Sequence, residues 1–315
     1  MRQRIRRGVP AGMIQTAAVL GGGAVARALL EALPGAGVRV LASWHRRSGL
    51  QPPPLRDVDI VLLAVSDLAI AEVCGRIDVG PGQLVAHLAG ALGLSPLVSA
   101  RRRGARTGSF HPLRPFTRDG TRGFGGFAAG ISASDESARE DLAQLAVRLG
   151  MTPLLTADKS RPLYHAAAVL AAGGQVALFA EAVRTFRHAT GLSEPQARTA
   201  LLPLALGALE KLWHEPPERA ITGPAARGDL ETVASHRKAL SADVLRLYDQ
   251  LTRVIARLRT HPAGAPPAPG RASRSSHPRR RRPPAARPSA SSRPPGPRSP
   301  RPAPRRPGRA PRRRR

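Results

Sequence analysis

The sequence predicts an α/β protein: an N-terminal doubly wound sheet, an all-α C-terminal domain and a disordered basic tail. Three observations carry this. Short apolar runs alternate with helical segments up to Thr156, strand signals then cease, and from His261 the chain is almost only Arg, Pro, Ala, Ser and Gly. Alternating strands and helices build parallel sheets, whereas helices without strands pack as a separate layer.

The first strand, Ala17-Ala18-Val19-Leu20, runs into Gly21-Gly22-Gly23-Ala24-Val25-Ala26 and an Ala/Leu-rich helix to Leu33. This is the strand–turn–helix setting of the Rossmann fingerprint Gly-x-Gly-x-x-Gly/Ala. Gly21 makes the tight turn, Gly23 admits a pyrophosphate close to the backbone, and Ala26 lets the helix pack on its strand. The phosphates would lie at the helix N-terminus, where free N–H groups and the dipole favour negative charge. A glycine triplet also reads as a flexible turn, but a second strand, Val38 to Ser43, follows as the fingerprint requires.

That strand leads into Trp44-His45-Arg46-Arg47-Ser48, and nothing between Ala32 and Arg56 is acidic. An NAD site usually places Asp or Glu about 20 residues beyond the fingerprint, to hold the ribose 2′-hydroxyl. Arg46, Arg47 and Ser48 suit a 2′-phosphate instead, because guanidinium groups make bidentate phosphate contacts. The predicted cofactor is therefore NADP (NADPH), with two solvated arginines as the alternative. Ala64, Val65 and Ser66, at the end of a continuous apolar strand from Asp59, and Gly90, after the strand Leu84 to Leu88, complete the predicted cofactor contacts.

The remaining sheet is expected from Ala105 to Phe110, Phe124 to Ala133 and Met151 to Leu155, with helices over Leu68 to Ile77 and Asp135 to Leu149. Beyond Thr156, helices are expected over Arg161 to Ala189, weakened at Gly173-Gly174 by about 1 kcal/mol each, Pro195 to Trp213, and Leu230 to Leu258. The first is so apolar that more than one side must be covered. A homodimer through the helical domain is the expected cover. The chain thus divides into a basic extension (1–12, with Met13 an alternative start), a dinucleotide-binding domain (13–156), a helical substrate and dimerisation domain (157–260) and the tail (261–315).

Of the formal net charge of +29, 17 units are arginines of the tail, which has no Lys, Asp or Glu. A Pro/Arg/Ser segment without apolar periodicity cannot offset its ordering entropy and is expected to be disordered. Polyanion binding by counterion release, a solvated appendage and translation past a shifted frame compete as its explanation. It lacks the aromatic residues on which single strands stack, so nucleic-acid contact is expected to be non-specific, if any. The basic N-terminus is broken by Gly8, Pro10, Gly12 and Gln15, unlike a signal peptide. No run was expected to reach the roughly 20 apolar residues of a membrane span. With the single cysteine Cys74 and no metal-ligand cluster, the chain reads as cytoplasmic.

Five motifs together resemble a known family: Gly21 to Ala26; His87-Leu88-Ala89-Gly90-Ala91-Leu92; Gly108-Ser109-Phe110-His111-Pro112-Leu113 with Phe116; Tyr164-His165-Ala166-Ala167; and Thr222-Gly223-Pro224-Ala225-Ala226-Arg227-Gly228-Asp229 with Thr232 and His236. They resemble the Rossmann-like oxidoreductases that carry a C-terminal domain of unknown function 2520, relatives of pyrroline-5-carboxylate reductase and the 6-phosphogluconate dehydrogenase superfamily. The resemblance implies a helical domain like the C-terminal one of 6-phosphogluconate dehydrogenase, and NADP chemistry. Two departures stand out. Ala89 replaces a typical Ser, and Ala172-Gly173 replaces a Ser-Asn pair of the long helix.

Hydride transfer to a carbonyl or imine leaves negative charge on the acceptor atom, so a small-molecule substrate of that class needs a proton donor or cation nearby. His111, on a loop after a strand, and His165, in the first turn of the long helix, are the candidates. Lys159, Arg227 and Asp229 are expected around the same cleft. Each has a plainer reading: His111 as a carbonyl-bonding residue, His165 as an interface histidine, Asp229 as a helix N-cap. The polar residues missing at 89 and 173 also leave room for a non-catalytic NADP-binding sensor.

Overall fold

Side chains alternate faces along each strand, and the apolar ones here are divided between two layers of helix. The computed structural model describes residues 13–48, 51–116 and 123–260, in which seven strands form one sheet. They are β1 (Thr16–Leu20), β2 (Arg39–Trp44), β3 (Ile60–Leu63), β4 (Leu84–His87), β5 (Arg106–Pro112), β6 (Ala128–Ala133) and β7 (Thr152–Leu155), in the spatial order β2-β1-β3-β4-β5-β6-β7. Ala17, Val19, Ile60 and Leu62 pack with Leu29 and Leu33 of α1 (Ala24–Gly35). Ala18, Leu20, Val61 and Leu63 face the other way, onto Ile70, Val73 and Cys74 of α2 (Ile70–Arg76) and Ala100 of α3 (Val98–Arg102). Leu142 and Leu145 of α4 (Glu136–Arg148) join the first layer.

Strands β1 to β5 are parallel, and β1 lies between β2 and β3. Helices therefore leave β1 and β3 on opposite faces, opening a crevice at their carboxyl ends. The last two strands depart from a purely parallel reading. β6 pairs antiparallel with β5, and β7 runs parallel to β6. A parallel neighbour needs a crossover of a dozen or more residues, usually helical, whereas no helix is seen between β5 and β6 among the described residues. The strand expected from Phe124 begins only at Ala128, after a turn.

Polar groups stitch the sheet to its surroundings. The Asp59 carboxylate accepts from the N–H groups of Gln15 and Thr16 and from Thr16 Oγ1, each at 2.9 Å. Arg148 donates to the carbonyls of Ala36 and Ile14, at 2.8 and 2.6 Å, tying the end of α4 to the layer of α1.

The helical part begins with α5 (Arg161–Val169), which passes through a π-helical turn, Leu170–Gly174, into α6 (Gln175–Thr190). The π turn falls on Gly173-Gly174, where the helix was expected to be weakest. Gly191 ends α6 in the left-handed conformation (φ 71°), as its lack of Cβ allows, and Ser193 with Gln196 forms a capping box on α7 (Glu194–Glu210). Two short helices follow, α8 (Pro217–Ala220) and α9 (Pro224–Arg227). The expected final helix from Leu230 to Leu258 is instead two, α10 (Leu230–Ala239) and α11 (Ala242–Thr260). Leu240 is extended (ψ 143°), and the Ser241 carbonyl accepts the first bond of α11, from Leu245 N–H at 2.8 Å.

The segment Asp158–Thr190 corrects another expectation. Its 33 residues, with mean hydropathy 1.6 over the most apolar window, are long and apolar enough to cross a membrane by length and composition. Pro162 to Ala180 contains no charged residue, and the many alanines make up for Gly173 and Gly174. Leu163, Leu170 and Val176 on this segment, and Leu204 and Trp213 beyond it, are exposed in the single chain. The readings of residues 1–12 and 261–315 lie outside the described residues.

Asp59→Ala removes three hydrogen bonds that hold β1 beside β3. At about 1 kcal/mol each, with some replaced by water, urea unfolding of the variant is expected to show a loss of about 2 kcal/mol, and a loss below 0.5 kcal/mol would show the contacts to be idle.

Candidate functional site

Two clusters lie at the carboxyl ends of the parallel strands. The first is built on the glycine loop. Gly21 has φ 151°, its N–H donates to the Trp44 carbonyl at 2.7 Å, and a methyl group there would collide with the Ala64 carbonyl. Only glycine lets β1 turn this close to the end of β3. Gly22 lies under the His45 side chain, whereas the space over Gly23 is open. Gly23 is the N-cap of α1 and gives it no side-chain cap, so the N–H groups of the first turn, at Ala24 and Val25, remain available. Ala26 is fully buried on the strand, as the fingerprint demands.

A cleft of about 310 Å³ opens here, lined by Gly21 to Gly23, Trp44 to Arg46, Ala64 to Ser66, Ala69 and Val73. The open space over Gly23, the uncapped helix end and the Arg46 guanidinium fit a dinucleotide diphosphate and an added phosphate. Not every predicted contact is placed alike. Arg46 lines the cleft but lies 3.6 Å from Glu72 of α2, an exposed ion pair. Arg47 is exposed and is not part of the cleft lining, and the Ser48 hydroxyl is engaged in its own turn, donating to the His45 carbonyl at 2.7 Å. Arg27, whose guanidinium donates to the Gly22 carbonyl at 3.1 Å, is a cation at the loop that sequence reasoning missed. Its signal was the spacing of one helical turn from Gly23.

The second cluster gathers around Gly90. His111 lies within β5 rather than on a loop after it, opposite Gly130 of β6. Its Nδ1 is 2.9 Å from the Tyr164 hydroxyl, and its ring meets that of His165 edge-on at 5.4 Å between centroids. A methyl on Gly90 would collide with His165 Nδ1 and lie 2.8 Å from His111 Nε2, so both imidazoles turn a ring nitrogen toward the space that this glycine leaves. His165 Nδ1 is buried with no hydrogen-bond partner. The structure thus places Gly90 with the histidines, beyond the residues that line the glycine-loop cleft. A methyl on Gly130 would collide with the Tyr164 hydroxyl.

Arg161 holds this cluster together. The side chain is fully buried and donates to the Ala89 carbonyl at 2.8 Å, to the Ser109 hydroxyl and to Thr156 Oγ1 at 3.3 Å, while its guanidinium stacks 5.1 Å from the Tyr164 ring centroid. Asp158, one turn earlier, accepts from Leu94 N–H at 2.9 Å, and His87 Nε2 lies 3.0 Å from the Gly93 carbonyl, so the loop after β4 is clamped from both sides. Burial and then the nearby charges of Arg161, His165 and His87 push His111 down to about 4. Burial also lowers His87 and Arg161 and raises Tyr164, the last opposed by Arg161 and by a hydrogen bond from the Gly130 backbone. Arg161 and Asp158 were not singled out as site residues, and Tyr164 only as part of the Tyr164-His165-Ala166-Ala167 motif; for Arg161 the signal was a cation at the mouth of an apolar helix.

The other predicted residues stand apart. Lys159 is exposed beside the cluster. Arg227 is exposed, and α9, which carries it, packs on α10 and α11. Asp229 caps α10, accepting from the N–H and hydroxyl of Thr232 at 3.0 and 2.7 Å, which lowers its pKa. In the single chain the expected cleft shared by three segments therefore unites His111 with His165 and leaves the Arg227–Asp229 turn among the helices.

A histidine held neutral when folded loses stability to the unfolded chain once acid protonates the latter. The contribution of His111 is intact above its ordinary value of 6.5 and fades as pH falls toward 4. Between pH 7 and 4.5 the parent is expected to lose roughly 2 kcal/mol more than His111→Asn in urea unfolding. Parallel pH profiles would refute the assignment.

Residues 127–255 match the family described as Domain of unknown function (DUF2520). The match takes in β6, α4 and β7 as well as the helices. No curated protein matches the chain. Among solved structures, a protein provisionally described as an NADP oxidoreductase from Bacteroides fragilis is similar, with 21% identity, TM-score 0.61, and coverage of 78% of this chain and 98% of that one. Protein TM1727 from Thermotoga maritima gives 21% identity and TM-score 0.60 over 77% and 97%. A reductive aminase from Aspergillus terreus, in complex with NADPH and ethyl levulinate, gives 16% identity and TM-score 0.54 over 78% and 94%. At such identities the likeness speaks for the shared fold. Residues 127–255 thus carry a domain that matches the DUF2520 family, and the chain shares the Rossmann-like fold of these structures.

Proposed function

We propose that the chain is an NADP-dependent oxidoreductase that reduces a small carbonyl or imine compound. One observation carries the reading: the glycine-loop cleft with Arg46 and the His111–His165 pair at Gly90 both lie at the carboxyl ends of the parallel strands of one sheet, after β1, β3 and β4 and in the last residues of β5. That edge is where open α/β sheets take their ligands. The similar solved structures include proteins described as NADP oxidoreductase and as reductive aminase with NADPH, in keeping with the reading.

In this reading Gly21 to Gly23 and the first turn of α1 hold the diphosphate, and Ala64 to Ser66 border it. Arg46 takes the 2′-phosphate, exchanging its exposed contact with Glu72 for a stronger charge-assisted one. When bound, NADPH supplies a hydride. The residues of this chain then have two tasks, to orient the acceptor beside Gly90 and to hold a proton for it. His111 and His165 are the groups within reach.

A second copy of the chain covers the apolar face of Asp158–Thr190 in the same reading. A helix this apolar must be buried, and α5, which starts it, is fastened to the sheet by the buried Arg161. The full chain is expected to sediment as a dimer at micromolar concentration, and a monomer would count against this occupant.

Thermal shift with NADPH and NADH tests the cofactor. NADPH at 100 times its dissociation constant is expected to stabilise by about 2.7 kcal/mol, with NADH needing a far higher concentration. Arg46→Ala should weaken NADPH by about 1.5 to 3 kcal/mol and leave NADH unchanged, while Glu72→Gln should tighten NADPH by freeing Arg46. Equal loss for both cofactors would discard the 2′-phosphate assignment, and binding of NADPH without turnover of any carbonyl or imine would point to a sensor.

A further inference from the structure

The pairing of Tyr164 with His111 determines more than a hydrogen bond. Among the described residues, the side chain within hydrogen-bond distance of the Tyr164 hydroxyl is His111, and the hydroxyl lies over Gly130, where a methyl would collide with it. With the imidazole in its Nε2–H tautomer, the phenol O–H finds its acceptor in His111 Nδ1, 2.9 Å away. An imidazole that accepts at Nδ1 carries its own proton on Nε2. That nitrogen is the one turned toward the space at Gly90. The remaining groups facing His111 are Arg161, His165 and His87, all basic, so none favours a second proton on the ring.

We infer that Tyr164 and His111 form a proton relay: the neutral imidazole gives its Nε2 proton to the substrate atom seated at Gly90 and takes the phenol proton on Nδ1. The inference rests on the oxidoreductase reading, in which the acceptor carbon receives hydride from a dihydronicotinamide and its oxygen or nitrogen needs a proton. The Nε2–H and Tyr164 O–H bonds break, a substrate O–H or N–H and an Nδ1–H form, the imidazole stays neutral, and the negative charge ends on the Tyr164 oxygen.

That charge falls where the chain can bear it. The Arg161 guanidinium lies 5.1 Å from the phenol ring centroid, buried and bonded to neutral oxygens. After product leaves, a water molecule gives a proton to Nε2 and departs to solvent as hydroxide, and the Nδ1 proton returns to Tyr164. Tyr164 is the terminal donor in this scheme, His111 the carrier and Arg161 a positioning residue.

The tautomer of His111 in the unliganded full chain tests the relay directly, without a variant. Two-bond ¹H–¹⁵N spectra are expected to show His111 protonated on Nε2 and neutral at pH 6. An Nδ1–H tautomer or an imidazolium at that pH overturns the relay. Tyr164→Phe keeps the ring, so the melting temperature should move little. The variant should lose the tautomer preference, keep NADPH affinity and lower kcat by about 100-fold or more. Turnover equal to the parent overturns the relay. The tautomer and the NADPH affinity are separate readouts: the first judges the relay, the second the cofactor reading beneath it.

Discussion

One buried guanidinium organises the cluster around Gly90 on which the proposed function rests. Arg161 has no exposed surface, and its bonds reach the loop after β4, the middle of β5 and the end of β7. Burying a cation is costly unless its donors are satisfied. The Nη donors here go to oxygens from three pieces of chain, whereas Nε is buried without a hydrogen-bond partner, so the cost is offset in part and only when all three are in place. That requirement couples the sheet to the first turn of the long helix. Arg161 also adds its positive charge to the burial that keeps the neighbouring His111 imidazole neutral.

The two halves of the candidate site rest on different physics. At the glycine loop, backbone does the work: a turn too tight for any side chain, an uncapped helix end and a crevice where neighbouring connections part. Around Gly90, side chains do it, and glycine acts by absence. A residue with a Cβ at position 90 or 130 would displace His165 or Tyr164. Both positions are spaces kept for neighbours that arrive from the helical part.

The glycine loop was legible in the sequence because the signal is local: strand, glycines and helix are consecutive. The same holds for the capping box at Ser193, which needs only the next three residues. Arg161 was illegible for the opposite reason. Its partners Ala89 and Ser109 are 72 and 52 residues away, and nothing in the segment Arg161 to Ala167 declares which way the guanidinium turns. Glu72 escaped notice likewise, since it meets Arg46 across space while the intervening sequence contains no acid until Asp57. The reversal of β6 had no compositional mark, since a strand's apolar pattern is the same read in either direction. The break at Leu240 had a single one, Ser241, a residue type that caps helices, set among good helix formers. The long apolar helix was underread because alanine and glycine count little one at a time and much over many positions.

The antiparallel pairing of β5 with β6 has one more consequence, for how this gene can drift. His111 faces Gly130 across the ladder, with Phe110 opposite Ile131 and Pro112 opposite Ala129. Because successive side chains point to opposite faces, inserting or deleting a single residue within either strand would exchange inner for outer side chains from that point on. It would also bring Ala129 or Ile131 to the place where Tyr164 lies. Length changes are therefore confined to the segments outside 106–112 and 128–133, and relatives that keep the histidine–tyrosine contact should align across both strands without gaps.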